Sequence, residues 1–573
     1  MSDNNPLFDR ETWSGFLWPV VLVLVTLLCV APGFFSIPPV DRDETRFAQA
    51  SRQMIETNDF VDIRYQDGTR YKKPIGIYWL QTASVKLLQT TSLVKEQAPI
   101  WAYRLPSAIG VVLAVLLTYA IACVFLPSSV AGIAALFMAI SVLPGFEARI
   151  AKTDGVLLAV ILAAQLALAR AYTNKDGPLS LANRILFWGS LGVGLLIKGP
   201  IIILVSGLTV AALSIYQRSF ALIKRLKPLT GLLLTLLIAV PWFVAIGIKS
   251  EGVFFIEAGL VDFLGKVASV KESHGGVPGI YASIMIGTFW PSSLVFLVAI
   301  PFLFKQRRSE LMVFCLCWAV PSWIVFELTP TKLPHYVLPL YPALAVMIAF
   351  AVQEGFKVER LWQKILLSLL FVAPLVLSLV VVVGLIFIEG YFAPIAVLFG
   401  AFAAFAGFFA WRKIVTSGNV QPAVGFLAAS AFCLYLAVYQ FGFPNLQSVW
   451  ISNNMVTALN AEEERASCSV PRTLSVGYHE PSLAFLGPLD IRFVDEEGAA
   501  DKLAAEPCRR LFVVDSHLED TSAALEKRGF KLKPLSTVQG VTLNGGNKVQ
   551  ITLNDVLPLV EASRQGEGSS ASD

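Results

Sequence analysis

Apolar runs separated by short polar segments extend along the chain as far as residue 443. Each run approaches the roughly 20 residues that an α-helix needs to cross a lipid bilayer. In chain order they predict about thirteen transmembrane helices, at 13–35, 102–126, 128–146, 155–172, 185–198, 199–216, 229–248, 281–303, 310–327, 336–354, 364–388, 393–411 and 422–443. Lys198-Gly199-Pro200 interrupts the fifth and sixth runs, which are short for two full helices, so one of them could be broken or tilted. The first run lacks a clean small-residue cleavage site, so we expect a retained helix there.

The pattern changes beyond residue 443, where the long apolar runs stop. Short segments at 473–478, 491–494, 510–514 and 549–553 predict strands, and 519–528 predicts a helix between two of them. A small α/β domain is therefore expected to follow the membrane helices.

These patterns predict a membrane domain over 1–445 and an α/β domain over 446–562. We expect juxtamembrane helices in the loop 36–100 and a flexible loop at 249–280, whose Gly and Pro content would allow a flap over substrate or only a linker. The Ser/Gly-rich tail 563–573 is expected to be disordered.

The composition agrees with a polytopic membrane protein. Only 15% of the residues are charged and 55% are hydrophobic, whereas soluble domains carry roughly 25% charged residues. The formal net charge of +4 is too small to indicate nucleic-acid binding, and four histidines leave little room for a polyhistidine metal site.

Lys and Arg in short loops predict the orientation, because they favour the cytoplasmic side. With the N-terminus inside, the basic loops that fall inside contain Lys175, Arg184, Arg218, Lys224, Arg225, Lys227, Lys305, Arg307, Arg308, Lys357, Arg360, Lys364, Arg412 and Lys413. The loop 36–100 then faces outward although it is rich in Arg and Lys, and binding a phosphate or pyrophosphate would explain those cations. The α/β domain faces outward by the same parity, where an oxidising periplasm would allow a Cys468–Cys508 disulfide.

Charged and hydroxylic side chains follow the first apolar run directly, beginning at Asp41. Keeping such a cluster at a membrane edge is costly, so we expect the fold to use it. A short helix beginning near Asp41 would place Asp43 and Arg46 on one face. In the alternative interpretation Asp41 is only an N-cap, and Asp43 and Glu44 only complement the helix dipole.

The loop 147–154 carries a second carboxylate, Asp154, on the same predicted face of the membrane as Asp43. With two carboxylates on one face of the membrane, one could deprotonate an acceptor while the other orients it. The alternative is that Asp154 only caps the helix that follows it.

Cationic residues at the outer membrane edges form a third set, which comprises Lys73, Lys198 and Lys332 with His335 and Tyr336. Lys72 and Lys73 precede an aromatic-rich amphipathic segment, a combination that suggests handling of an anionic headgroup on a lipid-linked substrate. Lysines at helix ends often only snorkel to the interface, and His335 alone would more often be structural than a metal ligand. Convergence on one face favours the functional interpretation.

An ordered series of motifs runs through the first 350 residues. The series is Asp43-Glu44-Thr45-Arg46-Phe47-Ala48, Lys73-Pro74 with Tyr78-Trp79, Arg104-Leu105-Pro106-Ser107, Ala151-Lys152-Thr153-Asp154, Lys198-Gly199-Pro200, Pro241-Trp242 and His335-Tyr336 with Leu338-Pro339 and Tyr341-Pro342. This order resembles the ArnT-like branch of the GT-C glycosyltransferases, which are relatives of the protein O-mannosyltransferases. The resemblance implies a GT-C fold of about thirteen transmembrane helices with a small periplasmic α/β domain.

The resemblance also implies an inverting transfer of a sugar from an undecaprenyl-phosphate type of donor at the periplasmic face of the bacterial inner membrane. Lipid A or another envelope glycolipid is the expected acceptor, membrane lipids are the surroundings, and no nucleic acid is expected. The site residues that we expect are Asp43, Asp154 and Lys73 as catalytic groups, Arg46, Lys198, Lys332, His335 and Tyr336 at the donor phosphate, and Lys72 and His274 in substrate loops.

One departure from the family concerns a metal. The residue before Lys73-Pro74 is often acidic in ArnT relatives and can join a histidine at a metal, but here it is Lys72. His274 could match that histidine, yet the pair is incomplete, so no metal site is predicted and a divalent ion is not expected to be essential.

Two other functions remain open at this point. A protein O-mannosyltransferase-like enzyme would use the same donor chemistry with a protein acceptor. A secondary transporter would place ionisable residues near the midplane of discontinuous helices, often in repeated halves. The charges here cluster in outward loops and no repeat is visible, so the transferase is favoured.

Overall fold

The structure is a computed structural model that describes residues 10–95, 97–174, 177–259, 276–463, 472–488, 491–505, 509–542 and 545–559. The expectations for Cys468, Cys508, His274 and the tail 563–573 concern residues outside these ranges.

Helices make up the first three quarters of the chain. The first are α1 (Arg10–Val30), α2 (Asp43–Thr57), α3 (Gly76–Thr90), α4 (Ile100–Ala122), α5 (Ser128–Ala139), α6 (Val142–Ala148), α7 (Asp154–Thr173), α8 (Leu181–Lys198), α9 (Ile201–Gln217), α10 (Ala221–Leu226), α11 (Pro228–Lys249) and α12 (Val253–Phe255). The next are Ile280–Thr288, Ser292–Lys305, Glu310–Leu328, the 3₁₀ helix Pro334–Leu340, Tyr341–Gln353, Leu361–Leu367, Leu369–Glu389, Pro394–Ser417 and Val424–Tyr435. Between α2 and α3, β1 (Arg64–Tyr65) and β2 (Gly68–Thr69) form a small antiparallel hairpin.

Among the described residues, nine helices are long and apolar enough to cross a membrane. The pair α5 and α6 forms one further span bent by 63°, and three shorter apolar helices lie at Leu17–Val30, Ile201–Gln217 and Ser292–Lys305. Each predicted apolar run therefore has a helical counterpart. Lys198-Gly199-Pro200 separates α8 from α9, where Gly199 has a φ of +71° that a glycine adopts without strain.

The run predicted as one helix at 281–303 is broken into Ile280–Thr288 and Ser292–Lys305. Pro291 lies in the break. Proline supplies no backbone N–H and disfavours a helical residue before it, which explains the interruption. The apolar run alone gave no indication of this break.

Close packing of α4 on α7 sets the position of the loop before α7. A Cβ atom at Gly110 would lie 2.6 Å from the carbonyl carbon of Gly155, and one at Gly155 would lie 2.6 Å from the carbonyl oxygen of Ser107. Only glycine allows the two backbones to approach so closely. This contact brings the start of α7 against the first half of α4.

The C-terminal domain is built on a five-stranded sheet. Its strands are β3 (Arg472–Val476), β4 (Arg492–Val494), β5 (Arg509–Val514), β6 (Phe530–Val541) and β7 (Lys548–Pro558), in the order β4-β3-β5-β7-β6. The first three are parallel, and β7 pairs antiparallel with both β5 and β6. The helices of this domain are Ile451–Glu463, Pro481–Leu486, Glu496–Ala505 and Leu518–Glu526. The α/β domain predicted from the sequence is thus present, with one additional strand, β6.

Polar contacts hold this domain against the helical one. Arg52 of α2 donates from Nη1 to the carbonyl oxygen of Phe485 at 2.7 Å. Arg492 forms an ion pair with Asp67 of the β1–β2 hairpin at 2.9 Å. The C-terminal domain therefore rests directly on the segment that contains the first predicted site motif.

Candidate active site

Asp154 is the first residue of α7 and is surrounded by cations. Its Oδ1 accepts a hydrogen bond from Lys198 Nζ at 2.6 Å and lies 3.9 Å from His335 Nε2, while Oδ2 lies 3.7 Å from Lys152 Nζ. The carboxylate is buried, with 6% of Asp154 exposed. The N-cap interpretation is wrong, because Thr153 holds the cap position and the Asp154 carboxylate bonds to Lys198 instead.

Lys198 closes the other side of this carboxylate. It is the last residue of α8, its side chain is 12% exposed, and its Nζ lies 5.9 Å from the ring centre of Tyr336. A snorkelling lysine would extend into the headgroup region, whereas Lys198 bonds to the buried carboxylate of Asp154. Its ammonium group instead lies between the buried carboxylate of Asp154 and the ring of Tyr336.

A second buried carboxylate, Glu147, lies next to Asp154. Lys152 Nζ is 3.0 Å from Glu147 Oε1 and 3.4 Å from His335 Nδ1. Burial alone would lower the pKa of Lys152, but the carboxylates of Glu147 and Asp154 outweigh that effect and raise it. Lys152 therefore stays protonated and holds the loop before α7 together.

The residue after Asp43 has a structural role. Glu44 receives two hydrogen bonds from Arg104, at 2.8 Å and 2.9 Å, and its side chain and that of Arg104 are 1% and 0% exposed. Glu44 also accepts the backbone N–H groups of Val40 and Ala151 at 2.8 Å and 2.9 Å. Removing one partner of such a buried pair costs about 3–5 kcal/mol. Glu44 thus fixes the start of α2 to α4 and to the loop that leads to Asp154.

Asp43 itself is exposed and forms no hydrogen bond or ion pair with the residues that the structure describes. Its charge acts on Lys152 and on the phenol of Tyr78, so it lies near both. Arg46 follows three positions later on the same helix face and likewise has no side-chain hydrogen bond or ion pair among the described residues. One carboxylate and one guanidinium are therefore available beside the Asp154 cluster.

The expectation that Asp41 is the N-cap of α2 is wrong. Arg42 occupies the cap position, and none of the described side chains caps the helix. The carboxylate of Asp41 accepts hydrogen bonds from Ser482 in the C-terminal domain and from the hydroxyl of Thr45 in the first turn of α2, but none from a backbone N–H of α2 among the described residues.

Lys73 lies near the end of α8 because the start of α3, which follows it, packs closely against that helix. A Cβ atom at Gly76 would lie 2.8 Å from the carbonyl oxygen of Leu196, so the start of α3 touches the last turn of α8. Lys73 precedes Gly76 by three residues, and Lys198 follows Leu196 by two. Lys73 Nζ donates to the carbonyl oxygen of Lys72 at 3.0 Å, and the side chain of Lys73 is half-buried.

Lys332 is placed differently from the other predicted cations. Its Nζ donates to the carbonyl oxygens of Glu327 and Thr329 at 2.8 Å and 2.7 Å. These bonds occupy two of its three N–H donors at the end of the helix Glu310–Leu328. Lys332 therefore holds the chain just before His335 and Tyr336.

The described residues around Lys73 do not fit a metal. Within the described ranges no group of three or more His, Cys, Asp and Glu side chains is arranged to hold an ion. Lys72, an exposed cation, stands where the resemblance leads one to expect an acid. His274 lies outside the described residues.

An apolar cavity of about 500 Å³ lies between α4, α7 and α8. Its lining includes Ala159 of α7 and Val193 of α8. These residues are five positions from Asp154 and Lys198, or about 7.5 Å along each helix. The cavity therefore begins roughly one and a half helical turns below the charged cluster, on the membrane side of it.

Glu147, Lys152 and the Glu44–Arg104 pair were not assigned to the site from the sequence. Glu147, Arg149, Lys152 and Asp154 fall within eight residues of the sequence, and four charges so close to an apolar run are a signal that could have been used. The pairing of Glu44 with Arg104 joins residues 60 positions apart, which spacing alone does not reveal.

Comparison with solved structures identifies the fold. A crystal structure of ArnT from Cupriavidus metallidurans bound to undecaprenyl phosphate superposes with a TM-score of 0.71, covering 95% of this chain and 98% of that chain at 17% identity. This chain has the ArnT fold. The apo structure of the same ArnT gives a TM-score of 0.69 at 18% identity. The prediction of a polytopic GT-C helical domain with a small α/β domain is therefore confirmed.

Sequence comparisons agree with the ArnT fold. The family model for dolichyl-phosphate-mannose-protein mannosyltransferases, PMT_2, matches residues 72–244. An undecaprenyl phosphate-alpha-4-amino-4-deoxy-L-arabinose arabinosyl transferase from Erwinia tasmaniensis is 24% identical over 326 residues, which are 56% of this chain and 57% of that protein. A transferase of the same description from Aeromonas hydrophila is 26% identical over 332 residues, 55% and 57% of the two chains.

This chain thus spans little more than half the length of the curated relatives it matches. Together these matches confirm the resemblance to the ArnT-like GT-C glycosyltransferases that the ordered motifs indicated.

Proposed function

We propose that the chain is an inverting glycosyltransferase that transfers a sugar from an undecaprenyl-phosphate type of donor to lipid A or another envelope glycolipid. The observation that carries this proposal is the carboxylate of Asp43, which has no bonded partner among the described residues and lies next to a buried, cation-rich cluster around Asp154. The ArnT fold and the described activity of the arabinosyl transferase relatives support it.

The donor phosphate is the first element of the mechanism. When the bond between the anomeric carbon and the phosphate oxygen breaks, the lipid phosphate leaves as a dianion and needs charge neutralisation more than a proton. Lys198, Lys73 and Arg46 supply three cations on one side of the site, and the hydroxyl of Tyr336 supplies a donor. We assign these groups to the phosphate, with His335 between Asp154 and Lys152 holding the cluster in place.

The polyprenyl chain of the donor is the second element. The apolar cavity between α4, α7 and α8 begins about 7.5 Å below Lys198. A chain attached to a phosphate at Lys198 would enter it directly, and burying that chain there stabilises the complex through the hydrophobic effect. We propose that the first isoprene units lie in this cavity.

Asp43 acts on the acceptor. For a hydroxyl acceptor it removes the proton as the acceptor oxygen attacks the anomeric carbon from the face opposite the leaving phosphate, which inverts the configuration. A phosphate acceptor is already anionic, and Asp43 then orients it together with Arg46. Asp154 keeps Lys198 and Lys152 fixed so that the cations are preorganised before the donor arrives.

We also propose the orientation that the basic loops predict, with the N-terminus in the cytoplasm and both the site and the C-terminal domain in the periplasm. The multi-pass helical domain agrees with a protein of the bacterial inner membrane. Cysteine accessibility tests this orientation, because a cysteine introduced at exposed Asp520 should react with an impermeant maleimide in intact spheroplasts.

The direct test of function compares envelope lipids of cells that contain or lack the protein by mass spectrometry. We expect one lipid A or glycolipid species to lose the mass of a sugar when the protein is absent, and to regain it with the wild-type chain but not with Asp43→Asn. The purified protein should convert the same lipid when an undecaprenyl-phosphate-linked sugar is added. An unchanged lipid profile would contradict the acceptor, and failure to consume any such donor would contradict the activity.

A protein acceptor is the second candidate, favoured by the match of residues 72–244 to the mannosyltransferase family model. Labelled donor separates the two, because the sugar would be recovered in the protein fraction rather than in the lipid extract.

A further inference from the structure

The C-terminal domain is bonded to the start of the helix that carries Asp43. Asp41 Oδ1 accepts the backbone N–H of Ser482 at 2.7 Å, and Oδ2 accepts the hydroxyl of Ser482 at 2.6 Å. Thr45, in the first turn of α2, donates its hydroxyl to the same Oδ1 at 3.3 Å. One carboxylate therefore joins the two domains two residues before Asp43.

Other contacts between the same two surfaces reinforce this bond. Arg42 lies 3.5 Å from Glu480. Arg52, further along α2, donates to the carbonyl oxygen of Phe485 and is itself buried. The ring of Phe485 packs edge-on against Tyr103 of α4, with 5.4 Å between ring centres. The segment 480–485 thus contacts both α2 and the membrane helix next to it.

Asp43 lies between two anchored residues. On one side Glu44 is fixed to Arg104 inside the helical domain, and on the other Asp41 is fixed to Ser482. Asp43 has no hydrogen bond or ion pair of its own among the described residues, and α2 has no side-chain N-cap. The position of the Asp43 carboxylate therefore depends on its neighbours, and one of the two supports comes from the C-terminal domain.

We propose that the C-terminal domain is a positioning element of the active site, in which Ser482 holds Asp41 and thereby fixes the first turn of α2 and the carboxylate of Asp43. This proposal rests on the proposed role of Asp43 in sugar transfer. Ser482 and Asp41 are positioning residues, since neither needs to touch the donor or the acceptor.

The charge of Asp41 gives the contact a pH dependence. Burial raises the pKa of Asp41 to about 6, the hydrogen bonds from Ser482 oppose the rise, and the Glu480 carboxylate adds to it. The other ionisable groups around it are Arg42, Tyr65 of the hairpin and Tyr478 of the C-terminal domain.

The raised pKa of Asp41 sets the direction in which the stability of the contact changes with pH. The docked protein binds this proton more tightly than an exposed aspartate does, so docking gains stability as the pH falls from about 6 towards 4. Above pH 6 this gain is absent, and the contact is at its weakest.

The first experiment compares Ser482→Ala with the wild-type chain, both full-length in detergent, by hydrogen exchange of the amides in residues 43–47. We expect exchange in the variant to rise about tenfold, because the first turn of α2 loses its outer support. With undecaprenyl-phosphate-linked 4-amino-4-deoxy-L-arabinose and lipid A as probes, kcat should fall about tenfold, which corresponds to about 1.4 kcal/mol. The donor KM should change less, because the phosphate-binding cations are untouched.

Ser522→Ala is the matched control. Ser522 lies on the helix Leu518–Glu526 of the same domain, away from the contact with α2. This variant should match the wild-type chain in both exchange and kcat.

A second pair of variants separates the hydrogen bonds from the charge. Asp41→Ala removes both acceptors and should reproduce Ser482→Ala. Asp41→Asn keeps an acceptor for the Ser482 N–H and has no charge to bury, so its exchange in 43–47 should not exceed that of the wild-type chain at pH 7. The decrease in exchange between pH 7 and pH 5, after correction for intrinsic rates, should be present in the wild-type chain and absent in Asp41→Asn.

The proposal is overturned if Ser482→Ala leaves exchange in 43–47 unchanged, or if exchange rises while kcat stays at the wild-type value. A wild-type protein that transfers no sugar from any undecaprenyl-phosphate donor contradicts the proposed function instead. The exchange comparison still decides in that case whether Ser482 holds α2.

Discussion

Asp43 and Asp154 are each the first residue of a helix and both lie near Lys152, yet one is exposed and the other is buried. Asp154 is buried, bonded to Lys198 and close to two further groups that carry or can carry positive charge. Asp43 is exposed and has no bonded partner among the described residues. The comparison shows that a carboxylate at a helix start can be either a fixed part of the framework or a group left available for chemistry.

The difference arises from the helices that carry them. α7 is a membrane helix packed against α4 through Gly110 and Gly155, so a charge at its start must be paired to remain buried. α2 lies outside the membrane spans, and its neighbours Asp41 and Glu44 take the structural bonds. Asp43 is thereby held in place without being neutralised.

Among the tests of this comparison, Asp43→Asn is expected to cause the largest loss of transfer rate. The amide keeps the shape of the side chain but removes the base, so the transfer rate should fall by about 10²–10⁴-fold while expression and thermal stability stay unchanged. The measurement is sugar transfer by the purified variant, with Asp520→Asn, an exposed aspartate of the C-terminal domain, as control. Near-normal turnover would refute a catalytic role for Asp43.

Lys198→Ala tests the role of the bonded cluster around Asp154. Loss of the ammonium group leaves the buried Asp154 without its shortest bond and the donor phosphate without a cation, so transfer should fall by roughly 10²-fold. Lys198→Arg should retain part of the activity. Thermal unfolding should also shift downwards for Lys198→Ala but not for Lys305→Ala, which removes an exposed lysine at another helix end. An unchanged rate in Lys198→Ala would exclude Lys198 from the site.

Lys73→Ala should have a smaller effect, which is confined to binding of the donor. A lost hydrogen bond to a charged group corresponds to about a tenfold rise in the donor KM. The control is Lys95→Ala, in the same outer loop but exposed. Equal donor dependence in both variants would count against contact between Lys73 and the phosphate.

Chelation should have the smallest effect. Because Lys72 replaces an acid and the cations of the site can neutralise the leaving phosphate, activity should stay within about twofold after EDTA treatment. A strict requirement for an added divalent ion would show that the site works differently from the charge arrangement proposed here.

The helical domain could be predicted well from sequence because apolar runs and basic loops are local signals. The break at Pro291 was not predicted, because other prolines such as Pro241 and Pro321 lie inside continuous helices. The strand β6 was not predicted, because most of its side chains are exposed or half-buried and it is defined by its pairing with β7. Lys332 was predicted at the phosphate, but its bonds to Glu327 and Thr329 depend on how one helix ends.

The site was harder to predict than the fold. The order of the motifs predicted Asp43, Asp154 and Lys198 as site residues. In the structure, Glu44 joins the segment of Asp43 to the loop before Asp154, and Gly76 packs against the end of the helix that carries Lys198. The contact between Asp41 and Ser482 spans 441 positions. No local pattern encodes a bond over that distance, and the capping interpretation of Asp41 was wrong for this reason.

The buried bond between Glu44 and Arg104 also sets an order for biosynthesis. Arg104 is synthesised 60 residues after Glu44, so the bond that fixes the start of α2 cannot form before the first turns of α4 have been made. A nascent chain interrupted between these two points would carry the complete first motif and still lack its final geometry. The final structure of the loop 36–100 is therefore coupled to synthesis of the helix that follows it.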